Sequence, residues 1–216
     1  MPLPSPVAGE GPLLPDETRP MPLSALALCA RALLKIGAQP VASLEEGSAE
    51  AEVAASLYPA TRDALLSAHP WSFATAQARL PRLAAAPAGE FRNAFLLPAD
   101  FLRALSAGAA GGSGRGLTYR LFESRLHADA EAVLLTYVFR PEESAFPAFF
   151  AAALAARLAA EFCLPLTENA ARAELLHRLA AQELRSARTA DSQQASPRAI
   201  EDFPLVAARG GGGGAG

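Results

Sequence analysis

Phe146-Pro-Ala-Phe-Phe-Ala-Ala-Ala-Leu-Ala-Ala-Arg-Leu-Ala-Ala-Glu-Phe-Cys-Leu164 decides how the rest of the chain is read. On a helix of 3.6 residues per turn this stretch has no polar side. Phe146, Phe149, Phe150, Leu154, Leu158 and Phe162 spread over one broad arc, and Ala148, Ala151, Ala152, Ala155, Ala159 and Cys163 make the opposite one. A helix apolar all round is buried within a protein or lies in a membrane. Arg157 and Glu161 interrupt the Phe/Leu arc, and each would cost about 2.5–3.5 kcal/mol near a bilayer centre. The stretch therefore reads as a central soluble helix, its alanine side open to a neighbouring backbone and its large side filling a core. The two charges, one turn apart, leave two readings open. They are a partly buried ion pair between i and i+4 neighbours, or they fix the register of a face that meets another subunit. On the second reading Arg157 and Glu161 are interface residues.

Composition sets the bounds around this helix. With 216 residues, 51% hydrophobic and a formal net charge of −3, the chain has the make-up of a globular protein with one good core or two small domains. Neither sign of charge is blocked along it, so the electrostatic footprint of tight nucleic-acid binding is missing. Cys29 and Cys163 lie far apart in apolar helical patterns and read as buried free thiols. The first residues show no basic segment leading into an apolar core, so no signal peptide is expected.

Outward from the helix, residues 1–22 carry seven prolines, which predicts an extended or disordered arm. Leu23 to Ile36 reads as a helix with Leu26, Ala30, Leu33 and Leu34 on its apolar face and Gly37 as its stop. Gly47-Ser48 opens a second helix whose apolar face is Val53, Leu57, Ala64 and Ala68; Pro59 sits inside that pattern, so a kink or break is expected near Ala55. After His69-Pro70-Trp71 the pattern turns extended. Phe73–Leu80 alternates weakly, Phe91–Leu97 and Phe101–Leu105 are short apolar runs, and Ala107–Gly116 reads as a loop. Tyr119–Phe122 and Val133–Phe139 read as strands, with Glu123-Ser124-Arg125 as a hairpin connection. Val133–Phe139 is apolar on both faces, which predicts cover on both sides. Pro165 should end the central helix, and Thr167 should cap a last helix from Glu168 to Thr189 with a stripe of Leu175, Leu176 and Leu179. The predicted fold is α+β but mainly α: a helical bundle from residues 23–70 and 142–190, with residues 71–141 inserted as a β-rich lobe. Residues 191–216 form a C-terminal tail, flexible or partner-bound, in which Phe203, Pro204, Leu205 and Val206 are the candidate contact with a partner or a neighbouring subunit.

A search for chemistry finds little. His69, His127 and His177 are scattered and none has metal-ligand spacing. Cys163 with His177 would need an exposed, activated thiol. Gly111-Gly-Ser-Gly-Arg-Gly116 lacks the Gly-Lys-Ser/Thr ending of a phosphate loop and fails the dinucleotide pattern. His127 with Asp129 could be a base and its orienter, but polar residues beside a turn are usually solvated. No catalytic, metal or cofactor-binding residue is assigned. The alternatives kept open are a small-molecule or ester hydrolase using His127 or His177, and a helical DNA-binding protein using Arg31, Lys35 and Arg62.

The string of motifs is more informative. Ala32-Leu-Leu-Lys-Ile-Gly-Ala-Gln-Pro-Val-Ala-Ser-Leu44 is followed by Leu57-Tyr-Pro-Ala-Thr-Arg-Asp-Ala-Leu-Leu-Ser-Ala-His-Pro-Trp-Ser-Phe73. Further on come Phe95-Leu-Leu-Pro-Ala-Asp-Phe-Leu-Arg103, Ala152-Ala-Leu-Ala-Ala-Arg-Leu-Ala-Ala-Glu161 and Pro165-Leu-Thr167. From about Leu23 to Ser192 the chain resembles the tail tubular protein A family, the head-to-tail adaptors of short-tailed phages. Tyr-Pro…Arg-Asp…His-Pro-Trp is the most specific part. Residues 1–22 and Arg198–Gly216 have no counterpart in it, and the turn at Glu123-Ser124-Arg125 lacks the glycine expected there. The resemblance implies a structural virion protein, not an enzyme, in the neck of a particle assembled in the host cytoplasm. It implies a homo-oligomeric ring of twelve between the portal protein and a tail nozzle protein of the tail tubular B type. Double-stranded DNA is passing cargo, no cofactor is needed and no membrane is a partner. Such a ring needs a different patch on each flank of the subunit.

Overall fold

A computed structural model of the protein describes residues 23–85, 87, 89–109 and 115–194. The proline-rich arm, the glycine run at 111–114 and the segment Phe203–Val206 fall outside the described residues.

Helix α1 (Ala25–Lys35) is capped by Ser24, whose hydroxyl accepts from the Ala27 N–H at 3.2 Å. Gly37, at φ 73°, turns the chain so that the Ala38 N–H returns to the Leu33 carbonyl. Helix α2 (Ala49–Ser67) starts at Ser48, which accepts from the Ala51 N–H. It runs through Pro59 unbroken. The ring leaves the Ala55 carbonyl without its helical donor, but both residues are exposed, so water can serve it. The expected faces of these helices are rotated. α1 buries Leu28, Cys29, Ala32 and Leu33 and leaves Leu34 61% exposed. α2 buries Ala51, Ala54, Tyr58, Leu65 and Leu66. On both helices the buried face mixes alanine with larger side chains, so the most hydrophobic positions do not by themselves mark it.

Six strands follow: β1 (Thr75–Leu80), β2 (Asn93–Leu96), β3 (Phe101–Ala109), β4 (Tyr119–Phe122), β5 (Arg125–Ala128) and β6 (Val133–Phe139). β6 is the centre of one antiparallel sheet, β1-β6-β3, and β5 the centre of a second, β2-β5-β4. Leu80, Val133, Leu135 and Tyr137 of the first sheet enclose a core with Phe95, Leu126 and Ala128 of the second. Val138, on the other face of β6, belongs to the helical core. The double cover read from the sequence of β6 is thus present, with helices on one side and the second sheet on the other. The hairpin of β4 and β5 turns on Glu123 and Ser124, both at positive φ (50° and 57°), the geometry of a tight two-residue turn in which glycine or asparagine is usual. β5 and the second half of β3 were not expected as strands.

Helix α3 (Ala148–Thr167) is the hub: α1, α2 and α4 each pack on it, while α1 and α2 touch only marginally. It is long and apolar enough to cross a membrane, and most of it is covered by the protein itself. Pro165 does not end it. The helix runs two residues further, to Thr167, and closes at Glu168 in the left-handed conformation. Asn169, not Thr167, caps α4 (Ala170–Ser192), accepting from the Arg172 N–H at 2.9 Å, while the Thr167 hydroxyl donates back to the Cys163 carbonyl. The buried face of α4 is Ala173, Ala180 and Ala187, one every seven residues, and Ala180 packs with Ala156 and Ala160 of α3. Leu175 and Leu179, expected in its stripe, are each 48% exposed.

The mainly α expectation is corrected by this architecture. The described residues are about 48% helix and 21% strand, in four helices and two three-stranded antiparallel sheets, an α+β mix and not a helical bundle with a β insertion. A helix apolar on every side collects neighbours around itself and does not require them to pack on one another. The sheets have a core of their own, because the alternation in β1, β5 and β6 buries one face of each.

Candidate functional site

The residues of the Tyr-Pro…Arg-Asp…His-Pro-Trp stretch converge on a joint between helices and sheets. Tyr58, Arg62 and Asp63, one turn apart on α2, face the segment that leaves β6. The Tyr58 hydroxyl donates to Glu143 Oε1 at 2.9 Å, and Arg62 Nη1 donates to the same oxygen at 3.1 Å. Arg62 Nε and Arg140 Nε both reach Asp63 Oδ1 at 3.0 Å, and Arg140 Nη2 reaches Asp63 Oδ2 at 2.5 Å. The Arg140 N–H is held by the Asp100 carbonyl at the start of β3. Burial opposes charge on Asp63 and Glu143, yet the hydrogen bonds they accept outweigh it and hold both carboxyls below their ordinary range. Burial, reinforced by Glu143, pushes the Tyr58 phenol upward.

A few residues on, the fully buried Trp71 donates its indole N–H to the Leu65 carbonyl at 3.0 Å and meets Phe150 edge-on at 5.1 Å. The last turn of α4 closes this side. Asp191, 4% exposed, accepts from the Ser72 N–H at 3.1 Å and from the Ser72 hydroxyl at 2.6 Å, with His69 Nε2 at 3.5 Å. Burial lowers the His69 pKa, partly offset by Asp191. Asp191 lies inside α4 and is no part of a tail, and sequence reasoning missed its role. One signal was present: a carboxylate in the last turn opposes the helix dipole, so it needs donors from elsewhere.

Arg157 and Glu161 are brought together, Nη2 to Oε1 at 2.7 Å, with side chains 45% and 30% exposed. This is the local i, i+4 pair, at the surface. Leu164 (52% exposed) near the end of α3 and Leu175 and Leu179 on α4 face outward. A second exposed apolar group, Leu96, Leu121 and Phe122, lies on the second sheet.

The chemical alternatives are not assembled. His127 borders a hollow of about 880 Å³ beside the second sheet, with Phe91, Phe122, Arg120 and Arg125. Its Nε2 is buried without a partner, and Phe122 meets its ring edge-on. Among the described residues lining that hollow none carries a hydroxyl or thiol. Asp129 is not turned to orient His127: its carboxylate accepts from the Arg92 N–H at 2.8 Å. His177 lies on α4, outside this lining, and buried Cys163 faces Thr167. Among the described residues no group of three or more His, Cys, Asp or Glu is placed to hold a metal ion. Arg31 and Lys35 are exposed on α1, whereas Arg62 is engaged by Asp63 and Glu143. No family model matches the chain, and no curated protein matches it.

Proposed function

We propose that the chain is a structural virion protein, a head-to-tail adaptor whose copies form a ring between a portal and a tail nozzle, with double-stranded DNA passing through. The observation that carries this reading is where the motif residues are used. Tyr58, Arg62, Asp63 and Trp71 all go into the joint that ties α2 to the start of the first sheet and to the segment before α3. A stiff joint between two layers suits a part that passes strain from one partner to another. Exposed leucines on the α3–α4 pair and on the second sheet offer separate patches, as head-to-tail contacts in a ring require.

The test is to measure the mass of the purified full-length protein alone and with the portal protein of the same particle, and to image both samples by negative stain. Closed rings seated on the portal are expected. A protein that stays monomeric and apart from the portal at every concentration overturns the reading.

A further inference from the structure

Between α1 and the first half of α3 runs a groove of about 540 Å³. Its floor on α3 is Ala148, Ala151, Ala152 and Ala155, methyl-sized side chains that leave room above the helix for something larger. Leu34, 61% exposed, stands over it from α1. Its cations are Arg31 and Lys35, both exposed, and neither has an ion-pair partner among the described residues. No acidic residue lines the groove among those described. It asks for a large apolar side chain next to negative charge.

The chain carries such a segment: Glu201-Asp202-Phe203-Pro204-Leu205-Val206. It also starts from the right place. Asp191 holds the end of α4 on Ser72, next to Trp71, and Trp71 packs against Phe149 and Phe150 in the first turn of α3. α4 therefore ends level with the first turn of α3, where the groove begins, on a neighbouring face of that helix. From Gln194 to Phe203 an extended chain covers up to about 30 Å, about the full length of α3 at 1.5 Å per residue. We propose that Glu201–Val206 lies in the α1/α3 groove of its own chain, Phe203 on the alanine floor and the two carboxylates against Arg31 and Lys35. Tethering raises the local concentration of such a segment to roughly the millimolar range, so individually weak contacts suffice. Leu13-Leu-Pro-Asp-Glu17 has similar chemistry, but it offers no aromatic side chain for the floor. The proposal stands apart from the adaptor reading, since it concerns the chain alone.

The test uses the full-length protein carrying Leu34→Cys with Leu205→Cys, oxidised by oxidised glutathione and run on non-reducing gels with mass spectrometry. Leu34 is exposed, so its replacement spares the core. Cys29 and Cys163 are buried, and burial pushes the Cys29 thiol up to about 12, so the introduced pair reacts first. A disulfide within one chain is expected, forming at least about fivefold more slowly when Arg31 and Lys35 are both changed to Glu. A disulfide between chains would place the segment in another copy and overturn the proposal. So would no link, or a rate indifferent to the charge reversal. Preferential linking of Leu34→Cys to Leu14→Cys would give the groove to the N-terminal arm instead.

Discussion

Two kinds of charged contact hold this molecule's helices, built from the same residue types. Arg157–Glu161 closes one turn of one helix at the surface. Arg62–Glu143 and Arg140–Asp63 join residues 81 and 77 positions apart, and Asp191–Ser72 spans 119. The local pair orders two long side chains and constrains no other part of the fold. The distant contacts close long loops and fix how a helix meets a sheet. Distance along the chain and burial, not the number of ion pairs, should therefore decide which charges matter for stability.

The strongest way to break that comparison is Asp191→Ala. It removes the buried carboxylate that accepts from the Ser72 N–H and hydroxyl, and should cost about 1.5–3 kcal/mol, read by denaturant unfolding. A cost under about 0.5 kcal/mol, the size of an ordinary surface change, would show the closure by α4 to be incidental. Next comes Asp63→Ala, which leaves Arg62 and Arg140 facing each other. The cluster is partly exposed, so the expected loss is smaller, about 1–2 kcal/mol. The acid limb gives a third test. Asp63 and Glu143 have lowered pKa values in the fold, so their contribution is present above the ordinary carboxylate range of about 4 and is lost as pH falls through their folded values. Asp63→Asn with Glu143→Gln should flatten the fall in stability below that pH. An acid limb as steep as that of the unmodified protein would erase the distinction. The smallest effect is predicted for Arg157→Ala, within about 0.5 kcal/mol by thermal unfolding. If Arg157 sets register between copies, its loss will show in ring formation and not in melting.

The sequence makes the end of α1, the start of α2 and the buried strand legible through residues with a single physical reading. Ser48 can cap, Gly37 can turn left-handed, and β6 is apolar on both faces. The faces of α1, α2 and α4 were not legible in the same way. The buried hydrophobic positions of α4 are all alanine, and on α1 and α2 alanine shares the buried face with larger side chains; alanine differs too little in hydrophobicity from its surroundings to mark a side. β5 is four residues, Arg125-Leu-His-Ala, too short for its alternation to stand out, and β3 continues through Ser106-Ala-Gly-Ala109, which composition alone assigns to a loop. The joint was visible as a motif but not as a structure. Nothing in Tyr58, Arg62 and Asp63 names Glu143 and Arg140 as partners, because that pairing exists only once α2 lies beside the end of β6.

The alanines of α4 have one more consequence. Ala173, Ala180 and Ala187 act as a gauge, setting how closely α4 lies along α3, and Asp191 is the next buried residue beyond them, four residues past Ala187. Any side chain larger than a methyl at Ala180 acts as a wedge, and the lever arm is the rest of the helix. Ala180→Leu would lift the last turn away from Ser72 and loosen a contact eleven residues along the chain without touching it. The position of the carboxylate is thus specified by what is missing from the seam.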